Sequence, residues 1–227
     1  MNGFILMVRS KKILLVVLSF LFIVNCQLLT VNSVSAQTFT VSAIPDSVFA
    51  RMQGKSYPKG CTVARSDLRY LRLSHWTSEG SEQVGELVCN KAISADLIDI
   101  FRALYEAHYV IERLQLVDDF DADDERSMQA NNTSCFCFRR VAGSQKLSRH
   151  AVGMAVDLNP LYNPCVRLKA GGQRTVQPAT ATPYADRRSN FPHKITKSDL
   201  AYRLFTAHGF RWGGIWRSVK DYQHFEK

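Results

Sequence analysis

Two short motifs far apart in the chain constrain it most. The first is Ser148-Arg149-His150-Ala151-Val152-Gly153-Met154-Ala155-Val156-Asp157, and the second is Asp221-Tyr222-Gln223-His224-Phe225-Glu226. From Gly153 the first motif alternates, with Gly153, Ala155 and Asp157 on one side and Met154, Val156 and Leu158 on the other. A period of two predicts a strand with one greasy face. Its other face carries small side chains and ends on an acid. His150 enters from the preceding turn. The second motif is short and rich in aromatic residues, so a strand is expected there too, with Tyr222 and His224 on a shared face. The fold must bring the two motifs together if their imidazoles and carboxylates are to act jointly.

Two histidines and one aspartate make an open hydrolytic zinc site, in which three protein ligands leave a fourth position for water. His150, Asp157 and His224 are the expected ligands. Zinc lowers the pKa of its water to about 7. Asp221, three residues before His224, is placed to act as general base and then as general acid without ligating the metal. An oxyanion developing on the substrate needs positive charge, and Arg139 is the candidate.

The pattern Ser148-x-His150-x-x-Gly153-x-Ala155-x-Asp157 followed by Asp221-x-x-His224 resembles the VanY-type D-alanyl-D-alanine carboxypeptidases. Their relatives include phage L-alanyl-D-glutamate endopeptidases and, more distantly, the hedgehog-like zinc fold. The resemblance runs from about Arg65 to the C-terminal end, taking in Asn159-Pro160-Leu161-Tyr162-Asn163-Pro164 and Trp212-Gly213-Gly214-Ile215-Trp216. It implies the same three zinc ligands, Asp221 as base, and an upstream arginine on the substrate carbonyl. The run Asn132 to Arg139 supplies that arginine as Arg139 rather than Arg140. It implies peptidoglycan stem peptides as substrates, cut at D-Ala-D-Ala or at L-Ala-D-Glu. A carboxypeptidase also needs a cation for the terminal carboxylate, and Arg140, Arg167, Arg187 and Arg188 all stand open for it. A non-catalytic zinc module that binds wall fragments or a partner is the alternative. Retention of Asp221 favours the enzyme.

The N-terminal segment reads as an export signal: Arg9, Lys11 and Lys12, then an apolar run from Ile13 to Val24, then Val34-Ser35-Ala36 before Gln37. The apolar run is too short for a comfortable membrane span. Cys26 lacks the small preceding residue that lipidation prefers, so ordinary cleavage after Ala36 is expected, with the mature protein in the periplasm or at the cell wall. Residues 37–60 read as a variable lead-in and 61–227 as one peptidase domain, acting as a monomer. Removing three cations takes the net charge from +9 to +6. That balance suits anionic wall polymers, but no aromatic-interleaved basic stripe points to nucleic acid.

Five cysteines follow the signal. Outside the cytoplasm, disulfides are expected for Cys61 with Cys89, and for Cys165 with Cys135 or Cys137. A metal site of Cys135, Cys137 and Cys165 is the weaker reading, because Cys-x-Cys is not the usual clip.

The remaining elements predict an α+β domain, helices packed on a mainly antiparallel sheet. Leu68–Leu73 and Glu86–Cys89 read as a hairpin with His75 and Trp76 in its loop. A helix begins at Ser94, with Leu97, Ile98, Phe101, Leu104 and Tyr105 inward. Ile111–Val117 reads as a strand, and the acids from Asp118 to Glu125 as a solvated loop and helix start rather than a calcium site. A long loop from Asn159 to Lys197 is expected to border the cleft, with Tyr184, Asp186 and Arg187, besides Ser148, as substrate contacts. A helix begins at Thr196 or Ser198 and closes at Gly209.

Overall fold

The structure, a computed structural model, describes residues 37–227 except Ala142 and Lys169. The segment expected to be an export signal, with Cys26, lies outside the described residues. The first sheet grows from an alternating sequence. Strand β2 (Leu68–Trp76) pairs antiparallel with β3 (Glu82–Asn90), and β1 (Phe39–Ser42) adds to the other edge of β2. Both faces are buried. Leu71, Leu73, Leu87 and Cys89 point into one core, while Leu68, Tyr70 and Val88 point into a second. The hairpin strands are longer than the sequence suggested. His75 and Trp76 belong to β2 itself, and the turn is the tight Thr77–Ser81 link.

The larger core is completed by two amphipathic helices. α2 (Ser94–Glu106) buries Leu97, Ile100, Phe101 and Leu104 at helical spacing. Ser94 does not cap it, because its hydroxyl donates to the Lys91 carbonyl. α4 (Leu200–Ala207) starts at Asp199, whose carboxylate accepts the Ala201 N–H, and Phe205 points inward. Gly209 follows its end with φ 82°, the left-handed conformation that suits a residue without Cβ. The smaller core is covered by α1 (Asp46–Met52) through Ile44, Val48 and Met52. Residues 37–60 are therefore built into the same unit as the rest of the described chain, not appended as a lead-in.

In place of the expected strand, the stretch 111–117 makes one isolated bridge, at Arg113, just after another at Val110. The acid run after it is spent residue by residue. Asp118 accepts from the Ser56 amide and hydroxyl, Asp119 pairs with Arg51, Asp121 with Lys55 and Arg126, and Asp123 caps α3 (Asp124–Gln129).

The five described cysteines are free thiols. The expected disulfides fail for a topological reason. Cys61 packs against the smaller core and Cys89 lies in the larger one, on opposite faces of the first sheet. Cys135 Sγ lies 3.6 Å from the Gly153 carbonyl oxygen, whereas Cys165 pairs across strands with Asp221.

Two small antiparallel sheets carry the motifs. One has the order β4-β9-β7, from β4 (Ala155–Asp157), β9 (His224–Glu226) and β7 (Arg211–Trp212). The other has the order β6-β5-β8, from β6 (Arg174–Gln177), β5 (Cys165–Leu168) and β8 (Val219–Asp221). The described architecture is α+β, as the patterning predicts. Val156 and Phe225 face the larger core from adjacent strands, and Phe225 stacks on Phe205 at 4.3 Å between ring centroids. Phe225→Ala is expected to lower stability by about 3–5 kcal/mol, read from the urea midpoint.

Candidate active site

The site begins with a register. In the β4–β9 pair, Asp157 stands directly opposite His224, Val156 opposite Phe225 and Ala155 opposite Glu226. Opposed residues in an antiparallel pair hold their Cβ atoms about 5 Å apart, close enough for side chains to touch. Val156 and Phe225 anchor the inner face, so Asp157 and His224 must project from the other one. His150 comes from a 3-10 turn, His150–Val152, that ends on Gly153 at φ 67°. A Cβ on Gly153 would lie 2.7 Å from the Asn90 amide nitrogen, so the motif's glycine is needed both for its turn and for its close approach to β3.

The three predicted ligands meet. His150 Nε2 is 3.2 Å from Asp157 Oδ2, His224 Nδ1 is 3.0 Å from Asp157 Oδ1, and the two ring nitrogens are 3.1 Å apart. All three residues are buried. The outward nitrogens fix the tautomers. His150 Nδ1 lies 2.6 Å from the Cys135 carbonyl, which can only accept, so Nδ1 carries the proton. His224 Nε2 lies 3.3 Å from Glu226 Oε2, so it too is the donor. With neutral rings, two nitrogen lone pairs and a carboxylate therefore face one another at about hydrogen-bond distance with no hydrogen between them. Such a centre calls for a cation, and the group His150, Asp157 and His224 could hold a metal ion. Burial alone would raise the Asp157 pKa, but His150 and His224 hold it far below the usual carboxylate range. Burial would lower that of His224, yet Asp157 and Glu226 push it up to about 10, so the centre favours positive charge.

Asp221 and His224 do not share one strand as expected. β8 ends at Asp221, the chain bends through Tyr222 and Gln223, and β9 begins at His224. The bend is held by Trp212 Nε1 donating to the Tyr222 carbonyl at 2.8 Å and by Leu158 N–H donating to the Gln223 carbonyl at 3.0 Å. It turns Asp221 back towards the metal ligands. Gly213 lies beneath: a Cβ there would sit 2.6 Å from the Asp221 carbonyl oxygen and 3.3 Å from His224 Cβ. Asp221 Oδ1 is buried without a hydrogen-bond partner. Burial raises the Asp221 pKa, the nearby Asp157 adds to it, and His224 opposes. A partly desolvated carboxyl with a free oxygen is suited to taking and returning a proton.

These groups line a cleft of about 530 Å³, within the usual range for a small-ligand site. Arg139 lines it too, ion-paired with Asp124 at the start of α3. Ser148 is buried in the wall, where its hydroxyl accepts the His150 N–H at 3.2 Å. Trp216 stands over the site, with its ring centroid 5.2 Å from that of His224.

The structure does not bring Tyr184, Asp186 and Arg187 to the cleft. Tyr184 packs edge-on against Tyr162, and Asp186 pairs with Arg188. Arg187 is a strut: its guanidinium donates to the Tyr162 and Ile195 carbonyls and to Asn163 Oδ1, and lies over the Tyr222 ring. The long loop folds into β5, β6 and 3-10 turns, and of its residues Cys165, Arg167 and Gln177 reach the cleft. Histidines outside the motifs are structural: His75 is buried with Nδ1 donating to the Ile111 carbonyl, and His108 stacks on Trp76.

Residues 142–227 match the family model described as D-alanyl-D-alanine carboxypeptidase. The match spans the three metal-binding candidates and Asp221, while Arg139 and Asp124 lie upstream of it. No curated protein and no solved structure matches the chain. Within the matched segment, sequence reasoning missed Glu226, although its spacing of two from His224 within β9 put both on one face. Asp124 was read only as part of an acidic helix start, and no sequence signal linked it to Arg139.

Two outcomes follow from this geometry. Glu226→Ala, by releasing the outward nitrogen of His224, is expected to weaken metal binding about 10- to 100-fold in a competition titration with a chromogenic chelator. Gly213→Ala should destabilise the fold by about 1–3 kcal/mol in urea, because the backbone at Asp221 has to move.

Proposed function

We propose that this chain is a zinc-dependent peptidase acting on peptidoglycan stem peptides after export to the periplasm or cell wall. The observation that carries the proposal is the convergence of three lone-pair donors on one buried point, beside a buried carboxyl that is not a member of the triad. Zinc fits the donor set: with bonds of 2.0–2.1 Å to nitrogen and oxygen, tetrahedral ligands lie about 3.3 Å apart. The separations of 3.0, 3.1 and 3.2 Å are close to that edge. Zinc in such a site supplies Lewis acidity and an acidified water at neutral pH.

The chain's own groups supply the rest. Asp221 takes the proton of the attacking water through its free oxygen and passes it to the departing nitrogen. Burial raises its pKa, which favours the protonated form that the second transfer requires. Arg139 brings positive charge to the cleft, where negative charge grows on the substrate carbonyl, and Asp124 holds that guanidinium in place. Cys135 and Glu226 fix the two imidazole rings, so neither ring has to reorient during the reaction. Trp216 covers one side of the site and limits the access of bulk water. The signal-like N-terminal sequence supports export, and the net positive charge suits an anionic wall.

A non-catalytic zinc module would need the triad but not Asp221, and the buried, unpartnered Oδ1 of that carboxyl favours the peptidase. Asp221→Ala is expected to retain stoichiometric zinc by atomic absorption while kcat on purified muropeptides, followed by mass analysis, falls about 10²- to 10⁴-fold. Undiminished turnover in that variant would remove the base from Asp221. Removal of zinc by a chelator should abolish hydrolysis, and re-addition should restore it.

A further inference from the structure

We infer that Arg167 is the carboxylate receptor of the cleft, so that it selects peptides with a free C-terminal carboxylate one residue beyond the scissile amide. The inference rests on the peptidase reading above and deepens it by assigning a specificity residue.

The argument starts from register. In the β5–β8 pair, Cys165 stands opposite Asp221 and Arg167 opposite Val219. Residues two apart on a strand project from the same face, so Arg167 points to the side on which Cys165 meets the Asp221 carboxyl. The step between them is about 6.5 Å along β5. A terminal carboxylate lies about one Cα–Cα step, 3.8 Å, from the amide it follows. The arginine stem is long enough to cover the difference and to bring the guanidinium to the leaving residue.

Elimination points to the same residue. Arg140 is exposed, donates to the Gln145 carbonyl and does not line the cleft. Arg187 is committed to three internal acceptors, and Arg188 is exposed and paired with Asp186. Within the cleft, Arg139 is held by Asp124 and Arg149 by the Lys227 carbonyl. Among the described residues, Arg167 is the cleft-lining guanidinium with no hydrogen bond or ion pair of its own. It is half-buried, so a bound carboxylate would be partly shielded from water, where a forked ion pair is strongest. Lys146, the other unpaired cleft cation, sits on an exposed loop and lacks that shielding.

The test uses the full zinc-loaded chain carrying Asp221→Ala, so that peptides bind without turnover. An N-acetylated tripeptide ending in D-Ala-D-Ala is compared with its C-terminal amide by isothermal titration. The acid is expected to bind about 10- to 100-fold more tightly than the amide. Adding Arg167→Ala should erase that preference, Arg167→Lys should keep part of it, and Lys146→Ala should leave it in place. An acid preference that survives Arg167→Ala, or binding of neither peptide, overturns the assignment. If the preference depends on Arg167 but the chain with Asp221 intact does not hydrolyse the acid peptide, the peptidase reading falls and the receptor stands.

Discussion

The cross-strand pairing of Asp157 with His224 is the contact on which everything else depends. It joins residues from two distant motifs through a three-residue ladder, and the ladder holds only because Val156 and Phe225 on its reverse side are locked in the larger core. The polar face thus takes its precision from an apolar one. A one-residue slip would turn both ligands inwards and expose Phe225, so the burial of that ring enforces the alignment of the metal site.

Around this pair the protein spends its buried polar groups on orientation. A backbone carbonyl turns one imidazole, a carboxylate turns the other, and a serine hydroxyl ties down the turn that delivers the first. Each of these contacts leaves a lone pair directed at the common centre. Three acceptors in mutual contact repel, and the protein tolerates the cost where a cation offsets it. The raised pKa of His224 is the same repulsion seen in the metal-free site.

The grouping of His150, Asp157 and His224 was legible in the sequence because it rests on local spacing: a period of two across Gly153, Ala155 and Asp157, and a fixed offset from Asp221 to His224. The α+β class and the two long helices were legible for the same reason, through their hydrophobic stripes. What was not legible depended on contacts distant in sequence. Arg187 was read as a substrate residue because it lies in a long polar loop, but its acceptors are supplied by Tyr162, Asn163 and Ile195. The disulfide expectation failed because spacing says nothing about which face of β2 and β3 a thiol occupies. The bend at Tyr222 and Gln223 was missed because it is imposed by Trp212 and Leu158, not by any turn-forming residue.

That bend places the proposed proton-handling carboxyl on one sheet and two of the candidate metal ligands on another. Asp221 rides on β8 beside β5, whereas Asp157 and His224 ride on β4 and β9. Asp221 and the His150, Asp157 and His224 group therefore stand on separate supports joined by a two-residue bend. Sequence drift in the β5–β6 hairpin can retune reactivity and substrate choice while ion affinity stays fixed, which gives a lineage built on this plan a way to explore new bonds without rebuilding its centre.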